Sequence, residues 1–300
     1  MTGRQTVPAG DGVRLTAYLD GDPAAPNTVL ALHGYPDNAS MWDPVVSLLA
    51  ATHRVIRYDV RGAGRSDAPA GRSGYRLAQL AADAEAVLAA TAPERPVHLL
   101  GHDWGSVQGW YLLGDPRLAG RIASFTSISG PSLDQVRPWL LRELRAGHLA
   151  PVLRQLAHSA YIPFFLLPVL PELAWRSGLL DRLLGGRSGR GSTRLLTDKL
   201  HGLELYRANL LRSGSGSASG RGRAGTIDVP VQVLAPSRDR YVTAELQLFA
   251  PRPYVRQFSG RTAPGGHWLP VSQPELVATA VSEFVARVSG DQAGDGGPPG

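Results

Sequence analysis

The sequence has no cysteine, a single lysine (Lys199) and no long apolar run. Without cysteine there can be no disulfide, no thiolate metal site and no cysteine nucleophile. A membrane-spanning helix needs about 18 apolar residues in succession, so no membrane span is expected. The amino-terminal Met1-Thr-Gly-Arg-Gln-Thr6 carries no apolar segment behind its charge, which argues against a signal peptide and for a soluble cytoplasmic protein. The basic excess, a net charge of +6, is almost wholly arginine. Much of it lies in Gly- and Ser-rich stretches such as Arg187-Ser-Gly-Arg190 and Arg221-Gly-Arg223, with no nucleic-acid motif alongside. Arginine in that setting reads as compositional bias, and nucleic acid is not an expected partner.

Among 300 residues, 43% are hydrophobic, enough for one large core with an insertion. Short apolar runs at 28–32, 53–58, 97–100, 122–128 and 231–235 end in turn chemistry, and helical spacing covers 77–90 and 107–113. Strands alternating with helices predict an α/β fold with a mostly parallel central sheet flanked by helices. Residues 13–19 read as an antiparallel edge hairpin partner. From 133 to 212 the pattern turns helical, with prolines at 138, 151, 163, 168 and 171 and no buried strand. The expected organisation is a core at 1–132, a helical cap at 133–212, a flexible Ser/Gly-rich linker at 213–225, a second core segment at 226–289 and a disordered tail at 290–300. A cap inserted there would lie over the carboxyl ends of the strands, where open α/β sheets bind ligands.

The turn Gly101-His102-Asp103-Trp104-Gly105 follows a strand and precedes a helix. That is the context of a nucleophile elbow, with aspartate where serine is familiar and glycines two positions away on each side. Taken alone, the aspartate fits a helix cap better than a nucleophile. The stretch Gly62-Ala-Gly64-Arg-Ser66 lacks both the third glycine of a dinucleotide fingerprint and the Lys-Ser/Thr of a phosphate loop, so no cofactor is assigned. No metal site is expected.

Four segments together carry a resemblance: His33-Gly34-Tyr35-Pro36, Tyr58-Asp59-Val60-Arg61-Gly62-Ala63-Gly64-Arg65-Ser66, the Asp103 turn, and Gly266-His267-Trp268. In order and spacing they resemble the epoxide hydrolase and haloalkane dehalogenase branch of the α/β-hydrolases, over about residues 10–288. The chain also resembles the hydrolase module that precedes a short-chain dehydrogenase domain in some bacterial proteins, although such a domain is not legible in these residues.

The resemblance implies that Asp103 is the nucleophile, His267 the base that activates water, and Asp239 the acid that orients His267, with Asp134 as the rival acid. It makes the backbone amides of Tyr35 and Trp104 the oxyanion donors and puts Pro36 after a cis peptide bond. His33, Pro36, Trp139, Phe164, Phe165 and Trp268 are expected to touch an apolar substrate. The leaving group separates the two reactions. A departing halide wants N–H donors, whereas an epoxide oxygen leaves as a basic alkoxide and needs a proton. Tyr161 and Tyr206 match the segments where epoxide hydrolases carry proton-donating tyrosines, so the expected activity is opening of an apolar epoxide to a diol. Dehalogenation of haloalkanes or haloacids, and a non-catalytic ligand-binding protein, remain the alternatives. The oligomeric state is left open, a homodimer included.

Overall fold

The computed structural model describes residues 3–184, 194–211 and 226–294. The chain begins with strands β1 (Gly3–Pro8), β2 (Arg14–Asp20) and β3 (Thr28–Leu32), then α1 (Asp43–Leu49), β4 (Arg54–Asp59), α2 (Leu77–Thr91) and β5 (Val97–His102). Helix α3 (Trp104–Leu112) and β6 (Ile122–Ile128) follow. Next come α4 (Leu133–Arg145), α5 (Leu149–His158), α6 (Ile162–Leu166), α7 (Leu170–Arg176), α8 (Leu179–Leu184) and α9 (Leu196–Leu210). The last part holds β7 (Val231–Pro236), α10 (Ala244–Phe249), β8 (Phe258–Ala263), α11 (Leu269–Ser272) and α12 (Pro274–Gly294).

Among the described residues the strands form one sheet in the order β1-β2-β4-β3-β5-β6-β7-β8. From β4 to β8 all neighbours are parallel, and β1 and β2 add an antiparallel edge. Every residue of β3, β5 and β7 is buried, because helices cover both faces. The stretch at 13–19 is a hairpin partner as expected, but β1 outside it is the true edge. Two strands that sequence patterning did not single out, β1 and β8, are largely exposed and polar. The terminal helix also runs to Gly294, so the tail expected from 290 is helical at its start. The linker at 213–225 and both arginine-rich stretches lie outside the described residues.

The Tyr58–Ser66 motif is structural scaffolding. The Asp59 carboxylate accepts hydrogen bonds from the Ala39 and Arg65 amides and the Tyr18 hydroxyl at 2.9 Å each. Gly64 has φ +55, and a Cβ there would meet that carboxylate at 2.3 Å. Arg61 is buried to 0% exposure and forks onto Asp83, which is equally buried, at 2.5 and 2.6 Å. The helices between β6 and β7 are fastened to the sheet by Asp198, whose carboxylate accepts from Asn38 Nδ2, the Gly64 amide and the Leu195 amide. Asn209 adds bonds to the Leu77 amide and the Tyr75 carbonyl.

Removing one partner of a fully buried ion pair strands the other charge and costs about 3–5 kcal/mol. Asp83→Ala leaves Arg61 paired only with Asp11, at 2.8 Å, and is expected to lose stability towards the lower end of that range in urea denaturation, while an exposed control such as Glu94→Ala stays near wild type.

Candidate active site

Asp103 sits at the carboxyl end of β5 with φ 53 and ψ −123, a conformation an L-residue adopts only when its surroundings enforce it. The enforcing contacts are close backbone approaches. A Cβ on Gly105 would lie 2.1 Å from the Leu32 carbonyl oxygen, and one on Gly101 would lie 2.7 Å from Ser106 Cα. Gly34 faces the carboxylate itself, leaving no room for a side chain (2.4 Å to Oδ1).

The two oxygens of Asp103 have different partners. Oδ1 accepts the Tyr35 amide at 2.7 Å, and Oδ2 lies 3.4 Å from His267 Nε2. Tyr35 precedes Pro36 through a cis peptide bond. His267 Nδ1 stands 3.1 Å from both oxygens of Asp239. Asp239 follows β7, is buried, and also accepts the amides of Tyr241 and Val242. The rival Asp134 lies in the first turn of α4, beside a separate small hollow lined by Leu77, Trp110 and Tyr111.

Burial works against charge on His267, but the charges of Asp239 and Asp103 and its hydrogen bonds to them outweigh it, lifting its pKa to about 10. Burial would raise Asp239 too, and the facing imidazolium with the loop amides holds it below the usual carboxylate range. His102, packed 4.9 Å from the His267 ring, is pushed down to about 4 by burial and by the His267 charge. It is therefore neutral, with Nε2–H donating to the His267 carbonyl at 2.9 Å.

A cavity of about 220 Å³ opens above Asp103, walled by Tyr35, Pro36, Phe164, Phe165, His267 and Trp268 and also lined by Tyr161 and Tyr206. A second chamber of about 260 Å³ shares Asp103, Tyr161, Tyr206 and Tyr241 and runs between Trp104, Leu140 and Leu246. The two phenols therefore stand where the chambers meet the carboxylate. Their rings pack edge-on with centroids 6.1 Å apart, and Tyr206 packs edge-on to the Trp104 ring at 4.9 Å. Burial raises both phenols well above the ordinary tyrosine range, and each stays protonated at neutral pH.

Two expected substrate contacts line neither chamber. His33 is buried under the loop, where Nε2 accepts the Val60 amide at 2.9 Å and Nδ1 faces the Gly34 carbonyl at 3.0 Å. It braces the loop. Trp139 packs with Val242, Leu246 and Ala250 behind the chamber wall, since its helix turns Leu140 inward instead.

Other lining residues were not anticipated. Tyr241 stacks edge-on to His267 at 4.7 Å, and its place two residues after Asp239 was the available signal. Arg194 lies over the Trp268 ring and pairs with Asp37 at 2.6 Å, a contact between distant segments that no local pattern announces.

A family model described as the alpha/beta hydrolase fold matches residues 27–273, and the chain belongs to that family. Probable oxidoreductase EphD of Mycobacterium tuberculosis is 38% identical over 313 aligned positions, covering 95% of this chain and 50% of that protein. The chain thus spans about half the length of that relative. Epoxide hydrolase 4 of Mus musculus is 28% identical, covering 91% of this chain and 77% of that protein. Among solved structures, a mutant epoxide hydrolase from Bacillus megaterium complexed with its naphthyloxy-propanediol product superposes with TM-score 0.77. At 22% identity, covering 94% of this chain and 100% of that one, it is a likeness of fold.

The electrostatics of the trio are testable directly. In Asp103→Asn the neighbouring charge is gone, so the His267 titration followed by nitrogen NMR is expected to fall well below its wild-type midpoint. An unchanged midpoint would show that Asp103 does not act on the imidazole.

Proposed function

We propose that this chain is an epoxide hydrolase that opens small apolar epoxides to diols through an ester on Asp103. The observation that carries the reading is the pair of neutral phenols, Tyr161 and Tyr206, lining both chambers together with Asp103. A phenol held protonated is the donor that an alkoxide leaving group requires and a halide does not.

In this mechanism Asp103 Oδ2, the oxygen not committed to the Tyr35 amide, attacks an epoxide carbon. The carbon–oxygen bond breaks, and the departing oxygen takes a proton from one of the two phenols. That phenolate is far more basic than His267, so the imidazolium returns the proton to it. Esterification has meanwhile removed the Asp103 charge that favoured the imidazolium. His267 is left neutral, oriented by Asp239, and able to take a proton from water. The hydroxide adds to the carbonyl carbon of the ester. The resulting oxyanion is held by the Tyr35 amide and by that of Trp104, preorganised donors of the kind that lower such barriers. Collapse expels the diol, which takes the carboxyl proton, and restores the Asp103 carboxylate beside a protonated His267.

Dehalogenation by the same nucleophile would leave the two phenols that line both chambers without a role. A non-catalytic binding protein would have no use for the strained Asp103 turn, whose conformation costs on the order of 1–3 kcal/mol. The apolar walls support an apolar substrate.

Two measurements follow. In His267→Gln, acid quenching after mixing with an aryl epoxide is expected to leave the alkyl group on the Asp103 peptide by mass spectrometry. No adduct there, with substrate binding confirmed, sinks the ester. Tyr161→Phe and Tyr206→Phe are each expected to lower kcat/KM on epoxides on the order of a hundredfold, the usual scale for losing a proton donor. Halide release from haloalkanes at a higher rate than epoxide turnover would favour the other reaction.

A further inference from the structure

Exposed large apolar side chains are distributed very unevenly over this protein. Among the described residues, all of them except Leu48 and Phe249 lie between positions 141 and 211, on the helices that cover the cavity. Helices α7 and α8 and the loop before them carry six of these residues. Leu167, Val169, Leu170, Leu173, Leu179 and Leu183 are each between 43% and 61% exposed. Scattered surface leucines are ordinary, but a run of this density is the mark of a surface that meets something apolar. Val169 adds to the case, for it is a β-branched residue at φ 69 that points 61% of its surface outward. Leu183 is 59% exposed and also lines the 220 Å³ cavity, so the apolar surface is continuous with the cavity.

The charges within the same segment are sorted by sign. Its acids are neutralised from inside the protein, with Glu172 paired to Arg207 and Asp181 to Lys199, both at 2.6 Å. Its cations, Arg176 and Arg182, are exposed and make no ion pair among the described residues. Among the described residues the face therefore presents leucine beside two arginines that make no ion pair, on a chain whose net charge is already +6.

We propose that the α7–α8 face docks on an anionic lipid surface, seating the cavity at the bilayer. Shallow burial of leucine together with attraction of arginine to acidic headgroups is how monotopic proteins hold a membrane. Among the described residues no helix is long and apolar enough to cross one, so the contact is peripheral. A second copy fits less well, because a two-fold contact would bring two copies of the same positively charged face together. This docking does not depend on which bond the active site breaks.

The test is co-sedimentation of the full chain with vesicles of phosphatidylcholine alone and of phosphatidylcholine mixed with phosphatidylglycerol. Wild type is expected to pellet with the mixed vesicles, less with the neutral ones, and less again as salt is raised. The triple variant Leu170→Ser/Leu173→Ser/Leu179→Ser, whose substitutions sit on exposed positions outside the cavity, is expected to bind the mixed vesicles at least about tenfold more weakly. It should turn over a water-soluble small substrate as wild type does, and this keeps a folding defect distinguishable from lost docking. Equal pelleting of the two proteins, or none by either, overturns the proposal. So does a wild-type dimer in sedimentation velocity that the triple variant abolishes without any vesicle binding, since the face would then belong to a second copy.

Discussion

The contact between the Tyr35 amide and Asp103 Oδ1, at 2.7 Å, fixes the geometry on which the site depends. It exists because two backbones approach more closely than any side chain would permit. Gly105 packs against the end of β3, and Gly34 against the carboxylate itself. With one oxygen held there, the other is turned to His267 and to the cavity. The same Tyr35 carries the constraint outward, for its hydroxyl donates to the Lys199 carbonyl at 2.9 Å and accepts the Trp175 indole at 2.6 Å. The loop that holds the carboxylate is thus the loop that positions the overlying helices.

Electrostatics give this arrangement a direction. A buried imidazole between two carboxylates is held protonated, and an acid is of no use as a base. The conflict resolves if the charge on Asp103 is consumed in the first step, because the group that held the proton on His267 is then neutral. The raised pKa is in this reading a property of the resting site, and the neutral His102 behind it adds no competing charge. In the same reading neutral tyrosines complete the set, since burial keeps their protons available for the strongest base the proposed reaction generates.

How much of this could be read from the sequence follows from where each residue lies. The central strands were legible because burial on both faces leaves an uninterrupted apolar run, as in Thr28–Leu32. The edges were not: β8, Phe258–Ala263, is exposed along most of its length and carries Ser, Gly, Arg and Thr. Asp103, Asp239 and His267, which the structure brings together, were singled out through the family resemblance, because the local chemistry of one turn fits a helix cap as well. In the helical layer, residue type says little about direction. Trp139 and Leu140 are neighbours in sequence, but about 100° of helical rotation separates them, and only Leu140 reaches a chamber. His33 was misread for a different reason, since a histidine beside a catalytic loop fits a brace as well as a contact. Arg194 with Asp37 could not be anticipated, because their meeting is a product of tertiary packing alone.

The central claim is that a carboxylate oxygen of Asp103, not water, forms the new bond to carbon. A single turnover with enzyme in excess, in water labelled with heavy oxygen, separates these outcomes by mass spectrometry of the diol and of the Asp103 peptide. The account predicts an unlabelled diol and label in the Asp103 carboxylate, because water attacks the ester carbonyl and the oxygen delivered to the product was already in the protein. Label in the diol from the first turnover, with none in the peptide, would contradict it.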